Sequence, residues 1–369
     1  MDCHVHPRVT YWTGTWDPQR EAISKEVEIL RRLQDPPASV VACSPGNRSA
    51  FGPHDGVWRL SGRRWLSFRA LAALVEPRGD VTHAFGHVDG WHQFRSLGRR
   101  PFVFTVVIPG QPFELSMYDR VSLFAAESEP LAASLRAAGI ASDRIRIIYP
   151  GVDLDEFRPA PMPSGMPFRI LFASSPADPS EFDARGLSLL IELARRHRDI
   201  EVVVLWREWG AVDESRRRLA ALGPPDNFKV ERRGARSMAS VYAGVHATAC
   251  FFRDGFGKSC PNSIVESLAC GRPALLTDTC GIAGLVAHRG AGIAAPRSID
   301  AISDGLECLR AGFERHSQAA RRLAEDCFGA ERFVRDYLDV YKGLANRSTM
   351  RASAANPDVD LSPTVRYPV

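Results

Sequence analysis

Residues 246–278, HATACFFRDGFGKSCPNSIVESLACGRPALLTD, restrict the possible folds more than any other part of this 369-residue chain. The apolar run from His246 to Phe252 has the pattern of a short buried strand. A glycine loop follows, Asp254-Gly255-Phe256-Gly257. Pro261-Asn262-Ser263 then opens a segment whose Ile264, Val265, Leu268 and Ala269 recur at helical spacing. Gly271 and Pro273 stop it, and Ala274 to Thr277 is a second apolar run. Strand, glycine loop, helix and strand form a βαβ unit of an α/β fold. Its loop aims free backbone N–H groups and the positive helix end at one point, which suits a phosphate. Glu266, about one turn into the helix, is placed to accept hydrogen bonds from sugar hydroxyls.

These residues resemble the donor-binding signature of retaining glycosyltransferases of the glycogen-synthase-like family 4, also called group 1. The match rests on Gly255-Phe256-Gly257, on Glu266-Ser267-Leu268-Ala269-Cys270-Gly271 and on Pro273. The resemblance implies a GT-B architecture, two Rossmann-like αβα domains facing across a deep cleft. It also implies a nucleoside-diphosphate sugar as donor, contacted by Asp254, Gly255, Phe256, Gly257, Ser263, Ile264 and Glu266. The family pattern has two acids separated by seven residues, and this chain carries Lys258 at the first place. Two registers follow. Either Asp254 is the first acid and Lys258 reaches the phosphates, or Lys258 occupies the acid's place.

Composition narrows the function classes. With 45% hydrophobic residues the chain can build two cores. A net charge of +4 is small for this size and implies no nucleic-acid surface. Of the 47 basic residues only Lys25, Lys229, Lys258 and Lys342 are lysines. The eight cysteines lack zinc-binding spacing, and Cys250, Cys260, Cys270 and Cys280, ten apart, make no metal pattern. No Gly-x-Gly-x-x-Gly follows a strand, which argues against a dinucleotide oxidoreductase. No apolar run approaches 18 residues and no signal peptide is evident, so the expected setting is cytoplasmic, with contact at the inner membrane face optional.

In chain order, residues 1–158 are expected to form an acceptor-binding Rossmann-like domain. In it, Asp17 and Pro18 are placed to start a helix with the stripe Ile23, Val27, Leu30 and Leu33, and Gly14 precedes it in a loop that can close over a diphosphate. Arg59 to Arg78 is a basic aromatic segment that suits either a membrane-surface helix or a packing helix with a solvated edge. Strands are expected at Asp80 to His83 and Phe102 to Val107, so that His83 and His87 fall at a strand's carboxyl end, where ligands collect. Either histidine is thereby a candidate for catalysis.

Gly151-Val152-Asp153 and Phe157-Arg158-Pro159 resemble the family's domain junction, and residues 159–167 are a proline-rich linker. Residues 168–345 are expected to form the nucleotide-sugar domain. There Ser174 and Ser175 sit in the first loop, and the resemblance implies that Arg185, before Gly186, clamps the diphosphate and that Gly234 lies near the base. The last helix is expected over Ala319–Gly343, crossing back to the first domain, with a disordered tail over 346–369.

The function so implied is a retaining, metal-independent glycosyltransferase without a cofactor, with Arg185, Lys258, Glu266 and a histidine in the chemistry. Its acceptor is expected to be a small soluble sugar, cyclitol or natural product. The competing readings are a lipid- or polysaccharide-directed transferase and a non-catalytic nucleotide-sugar-binding partner subunit.

Overall fold

The computed structural model describes the chain apart from residues 1–5, 33–37, 45–55, 62–64, 88–95, 110–118, 165–166, 208–209, 233, 235 and 355–369. The first domain holds β1 (Val9–Thr13), α1 (Ala22–Arg32), β2 (Ser39–Ser44), β3 (Val57–Ser61), α2 (Trp65–Val75), β4 (Val81–His87), β5 (Phe102–Ile108), β6 (Leu123–Ala126), α3 (Glu129–Ala137) and β7 (Ile145–Ile147). Its sheet runs β3-β2-β1-β4-β5-β6-β7, every pairing parallel. β1 and β6 are buried at every position and β5 at all but the last, as strands covered on both faces are.

The second domain follows with β8 (Phe168–Phe172), α4 (Glu181–Ala184), α5 (Leu187–Arg196), β9 (Ile200–Trp206), α6 (Val212–Ala221), β10 (Phe228–Arg232), α7 (Met238–Ala243) and β11 (Ala247–Cys250). Then come α8 (Asn262–Ala269), β12 (Ala274–Thr277), α9 (Ala283–His288), β13 (Gly292–Ala295), α10 (Ile299–Ala311), α11 (Phe313–Cys327) and α12 (Ala330–Ala354). Its parallel sheet runs β10-β9-β8-β11-β12-β13. In each sheet the order reverses once, between β1 and β4 and between β8 and β11. A doubly wound sheet opens its ligand crevice beyond the carboxyl ends of such strands.

The helix that ends the chain belongs to the first domain's core. Phe333, Val334, Tyr337, Tyr341 and Leu344 of α12 pack with Tyr11, Val27, Val40 and Phe85. Burying each such side chain stabilises the fold by about 1.5–3 kcal/mol. The two crossings between domains are tied together: Val152 N–H donates to Phe328 O at 2.7 Å, and Val152 O accepts from Ala330 N–H at 2.9 Å. Gly151 is needed at this joint, since a Cβ there would lie 2.8 Å from the Phe333 side chain. Arg272, fully buried, holds the linker by donating to Pro161 O as well as to Tyr242 O.

Several boundaries differ from expectation. The final helix is two helices, α11 and α12, broken at Phe328-Gly329 where Val152 pairs, and α12 runs on to Ala354, past the expected start of the tail. Arg59 lies in strand β3, because Val57 to Ser61 pairs with β2, a tertiary pairing no local period reveals. Helix α1 begins at Ala22, with Asp17 in the preceding turn. Glu21 caps it instead, its carboxylate accepting from the N–H groups of Ile23 and Ser24.

Candidate active site in the interdomain cleft

The Asp-Gly-Phe-Gly loop builds a seat for one arginine. Arg185 follows α4, and Gly186, at φ 81°, lets the chain turn where a Cβ would strike Phe251 O at 2.5 Å. The Arg185 Nε donates to Glu181 Oε2 at 2.7 Å, and Nη1 donates to Ser174 Oγ at 2.8 Å. Its guanidinium carbon lies 5.3 Å from the Phe256 ring centre and 5.9 Å from that of Phe252, a cation–π arrangement. Gly257, at φ 77°, makes room for the Phe252 ring, which a Cβ would meet at 2.5 Å. Among the described residues Nη2 of Arg185 makes no hydrogen bond.

A second arginine, not anticipated, stands beside it. Arg207 is the first residue past β9; its N–H donates to Ser175 Oγ at 3.0 Å and its Nη1 to Arg20 O of the first domain at 3.2 Å. Burial and the neighbouring Arg185 charge push Arg207 below the ordinary arginine value, with Glu21 and Glu181 acting against that. Two guanidiniums, one just past α4 and one just past β9, thus share one corner. At the start of α8 the N–H groups of Asn262 and Ser263 have no partner among the described residues, and Asn262 Nδ2 donates to Ala22 O of α1 at 3.4 Å. Gly271, at φ 69°, closes α8 with Arg272 N–H on Ser267 O and Gly271 N–H on Leu268 O.

Glu266 is buried, and both carboxylate oxygens are engaged. Tyr242 Oη donates to Oε2 at 2.9 Å, and Lys25 Nζ of helix α1 lies 2.7 Å from Oε1. Burial and the Glu266 charge together raise the Tyr242 hydroxyl well above the ordinary tyrosine value, so it serves as a donor.

Lys258 lies between acids of the other domain. Its Nζ is 2.6 Å from Glu26 Oε1 and 2.7 Å from Glu127 Oε2, and it donates to Cys260 O at 3.0 Å. The three side chains are 11%, 0% and 1% exposed. Burial first, and the Glu26 charge second, raise Glu127 well above the usual carboxylate range. Burial works against the ammonium as well, but Glu127 and Glu26 outweigh it, so Lys258 stays charged. Two buried acids thus face one buried lysine. Beside it Ser128 and Ser259 hydroxyls meet at 2.6 Å and Ser259 N–H donates to Val107 O at 2.8 Å, closing the cleft floor.

Position 258, not 254, thus faces the interior. Asp254 is exposed at the loop tip, on a cavity of about 90 Å³ that Pro109, Leu131, Phe256, Thr279 and Cys280 also line. Lys258, occupied by two carboxyls, is not directed to a phosphate.

His83 is not a cleft residue. Strand β4 runs four residues further than its apolar pattern suggests, which leaves His83 mid-strand and fully buried. Its Nδ1 meets Tyr341 Oη and its Nε2 meets Thr105 Oγ1, each at 2.6 Å, so neither ring nitrogen is open. His87 ends β4, but its side chain lies outside the described residues. Gly14 follows β1, and among the described residues no neighbour lies nearer to a Cβ there than 4.0 Å. Gly234, at φ 59°, sits on the exposed turn beyond β10. Ser174 and Ser175 serve the two arginines; Ile264 is core, and Ser263 lies in the first turn of α8.

Sequence reasoning missed Arg207, Glu127, Lys25, Glu26 and Tyr242. The first two directly follow β9 and β6, and the strand-end rule marks such places. Lys25 and Glu26 carry no such signal: off the apolar stripe of α1 they look like solvated charges. The four cysteines spaced by ten are buried free thiols, with Cys250 and Cys280 hydrogen-bonded to each other. Among the described residues no group of three or more His, Cys, Asp or Glu could hold a metal, and no helix is long and apolar enough to cross a membrane.

This architecture matches solved structures along nearly its whole length. A glycosyltransferase from Rickettsia africae superposes with a TM-score of 0.70 at 15% identity, covering 92% of this chain and 98% of that one. The chain has the GT-B fold. HepE from Anabaena, solved with UDP, superposes on this GT-B chain with a TM-score of 0.69 at 16% identity, covering 91% and 100%. Sucrose-phosphate synthase from Thermosynechococcus elongatus gives 0.69 at 14%, covering 91% and 99%. The model of Glycosyltransferase Family 4 matches residues 25–156, the first GT-B domain. That stretch spans Lys25, Glu26 and Glu127, whereas the motifs read from sequence lie in the second domain. None of the curated proteins matches.

Proposed function

We propose that this chain is a retaining glycosyltransferase that moves a sugar from a nucleoside-diphosphate sugar to an acceptor hydroxyl. One observation carries the reading: Ser174 and Ser175 hold Arg185 and Arg207, Arg207 reaches Arg20 of the first domain, and α8 brings its first turn and Glu266 against Ala22 and Lys25, a few residues further on. A sugar diphosphate needs such a set, guanidiniums and free amides for its phosphate oxygens and a carboxylate for its hydroxyls. HepE was solved with UDP and with UDP-glucose, which makes uridine nucleotides the first probes.

In this reading the bond from the sugar's anomeric carbon to the diphosphate oxygen breaks, and negative charge builds on the leaving group. Arg185, Arg207 and the α8 dipole stabilise it, the preorganised electrostatic contribution that dominates many enzymatic rate enhancements. The acceptor oxygen bonds to the same face of that carbon, and its proton passes to a diphosphate oxygen. No metal and no protein nucleophile enter.

A binding-only role is the second reading. It is favoured by His83, closed in the core, and by Lys258, neutralised inside the protein. A thermal-shift series with UDP-, GDP- and ADP-sugars tests both, because a ligand of the native state raises the melting temperature. Release of the nucleoside diphosphate, with and without candidate acceptors, then separates them. No shift with any nucleotide sugar would sink the two together; a shift without turnover would leave the binder.

A further inference from the structure

The ion pair between Lys25 and Glu266 joins the two domains at the crevice itself, and no step above uses Lys25. Its ammonium lies 2.7 Å from Glu266 Oε1, with side-chain exposures of 27% for the lysine and 6% for the carboxylate. The carboxylate is thus the more deeply buried of the two, while the lysine keeps part of its surface open to solvent. An ammonium has three N–H donors. Glu266 takes one, and among the described residues no other acceptor takes the remaining two.

Its surroundings are those of the arginine corner. Arg207 donates to Arg20 O, in the turn that leads into α1, and Glu21 at the cap of α1 acts on the Arg207 charge. Tyr242, which holds the other oxygen of Glu266, acts on Arg207 as well. Arg207 is thus tied to the turn that leads into the helix of Lys25, and it feels Tyr242, the partner of Glu266. Residue type adds to this. The chain has 43 arginines and four lysines, yet Lys25 and Lys258, each paired with an acidic side chain of the other domain, are both lysines. A guanidinium would fork onto Glu266 with two bonds, whereas a compact ammonium on a flexible stem leaves donors for a second anion.

We propose that Lys25 is a nucleotide-binding residue supplied by the first domain, bridging Glu266 to the diphosphate of a bound nucleoside diphosphate. The proposal rests on the nucleotide-sugar reading of this crevice. A charge-assisted bond to phosphate corresponds to roughly ten- to hundredfold in affinity.

The test is calorimetric titration of UDP, GDP and ADP, each against its own nucleoside, into wild type, Lys25→Met and Lys25→Arg. The quantity read is the ratio of the nucleoside Kd to the diphosphate Kd. Lys25→Met is expected to lower that ratio at least about tenfold, and Lys25→Arg to restore most of it. Glu266→Gln, which frees the ammonium, is expected to weaken the nucleoside but preserve or raise the ratio. A ratio unchanged in Lys25→Met, with nucleoside and diphosphate weakened alike, would make Lys25 an interdomain brace and overturn the proposal. Should Lys25→Met fail to fold, a fall of the ratio in Glu266→Gln would overturn it instead. Wild type that binds no nucleoside diphosphate would instead defeat the reading of the crevice, and Lys25 with it.

Discussion

Replacing Lys258 with methionine takes the ammonium from between Glu26 and Glu127 and leaves two carboxyls that are 0% and 1% exposed. Removing one partner of a buried pair costs about 3–5 kcal/mol. The protein's escape is to protonate, and keeping an ordinary glutamic acid, pKa near 4.3, protonated costs roughly 3.7 kcal/mol at pH 7. Both routes put the loss at about 3–4 kcal/mol at pH 7. Because protonation becomes easier by about 1.4 kcal/mol per pH unit, the loss shrinks to roughly 1 kcal/mol at pH 5. Urea unfolding of wild type and Lys258→Met at both pH values measures this, and the melting temperature at pH 7 falls by roughly 10 °C for a domain of this size. A loss under about 1 kcal/mol at pH 7, or one equal at both pH values, would refute the buried three-group arrangement. Lys258→Glu gathers three carboxyls and is expected to do worse still, so a glutamate there that raised activity would refute it too.

Four further outcomes are expected. Burial and the Glu26 charge raise Glu127 above the ordinary glutamate value, so its contribution is full below that value and is lost as pH rises through the folded one; Glu127→Gln should gain on wild type as pH rises in denaturant titrations. Burial holds His83 neutral, while the unfolded chain protonates near 6.5, so this group lowers stability as pH falls below that value. His83→Gln should flatten the slope between pH 7 and 5, although the lost bonds to Tyr341 and Thr105 cost about 1–3 kcal/mol. Arg185→Ala, and separately Arg207→Ala, should remove about 2–3 kcal/mol of the preference for a nucleoside diphosphate over its nucleoside in calorimetry. Gly257→Ala places a Cβ 2.5 Å from the Phe252 ring at φ 77°; a cost of about 1–3 kcal/mol in melting and denaturation, with a weaker Arg185 seat, is expected.

The βαβ unit at 246–278 was legible because its information is local: apolar runs, positive-φ glycines and the Gly271 stop act on their own neighbours. β12 falls at Ala274–Thr277, as the apolar run indicates. The place of Ser174 in the loop after β8 and of Arg185 before Gly186 was legible for the same reason. Tertiary structure alone decided the rest. His83 looked terminal in its strand because the polar and glycine residues after it break the apolar pattern, although pairing with β5 carries β4 on to His87. Lys258 looked like a free cation because its partners lie 232 and 131 residues away, on α1 and just past β6. Lys25 and Glu26 looked like solvated charges on an amphipathic helix for the same reason, their partners standing on the opposite domain. A side chain's charge is written in the sequence, but its dielectric surroundings and counter-charge exist only once two domains close around it, and those decide whether it is solvated, shared or poised for a ligand.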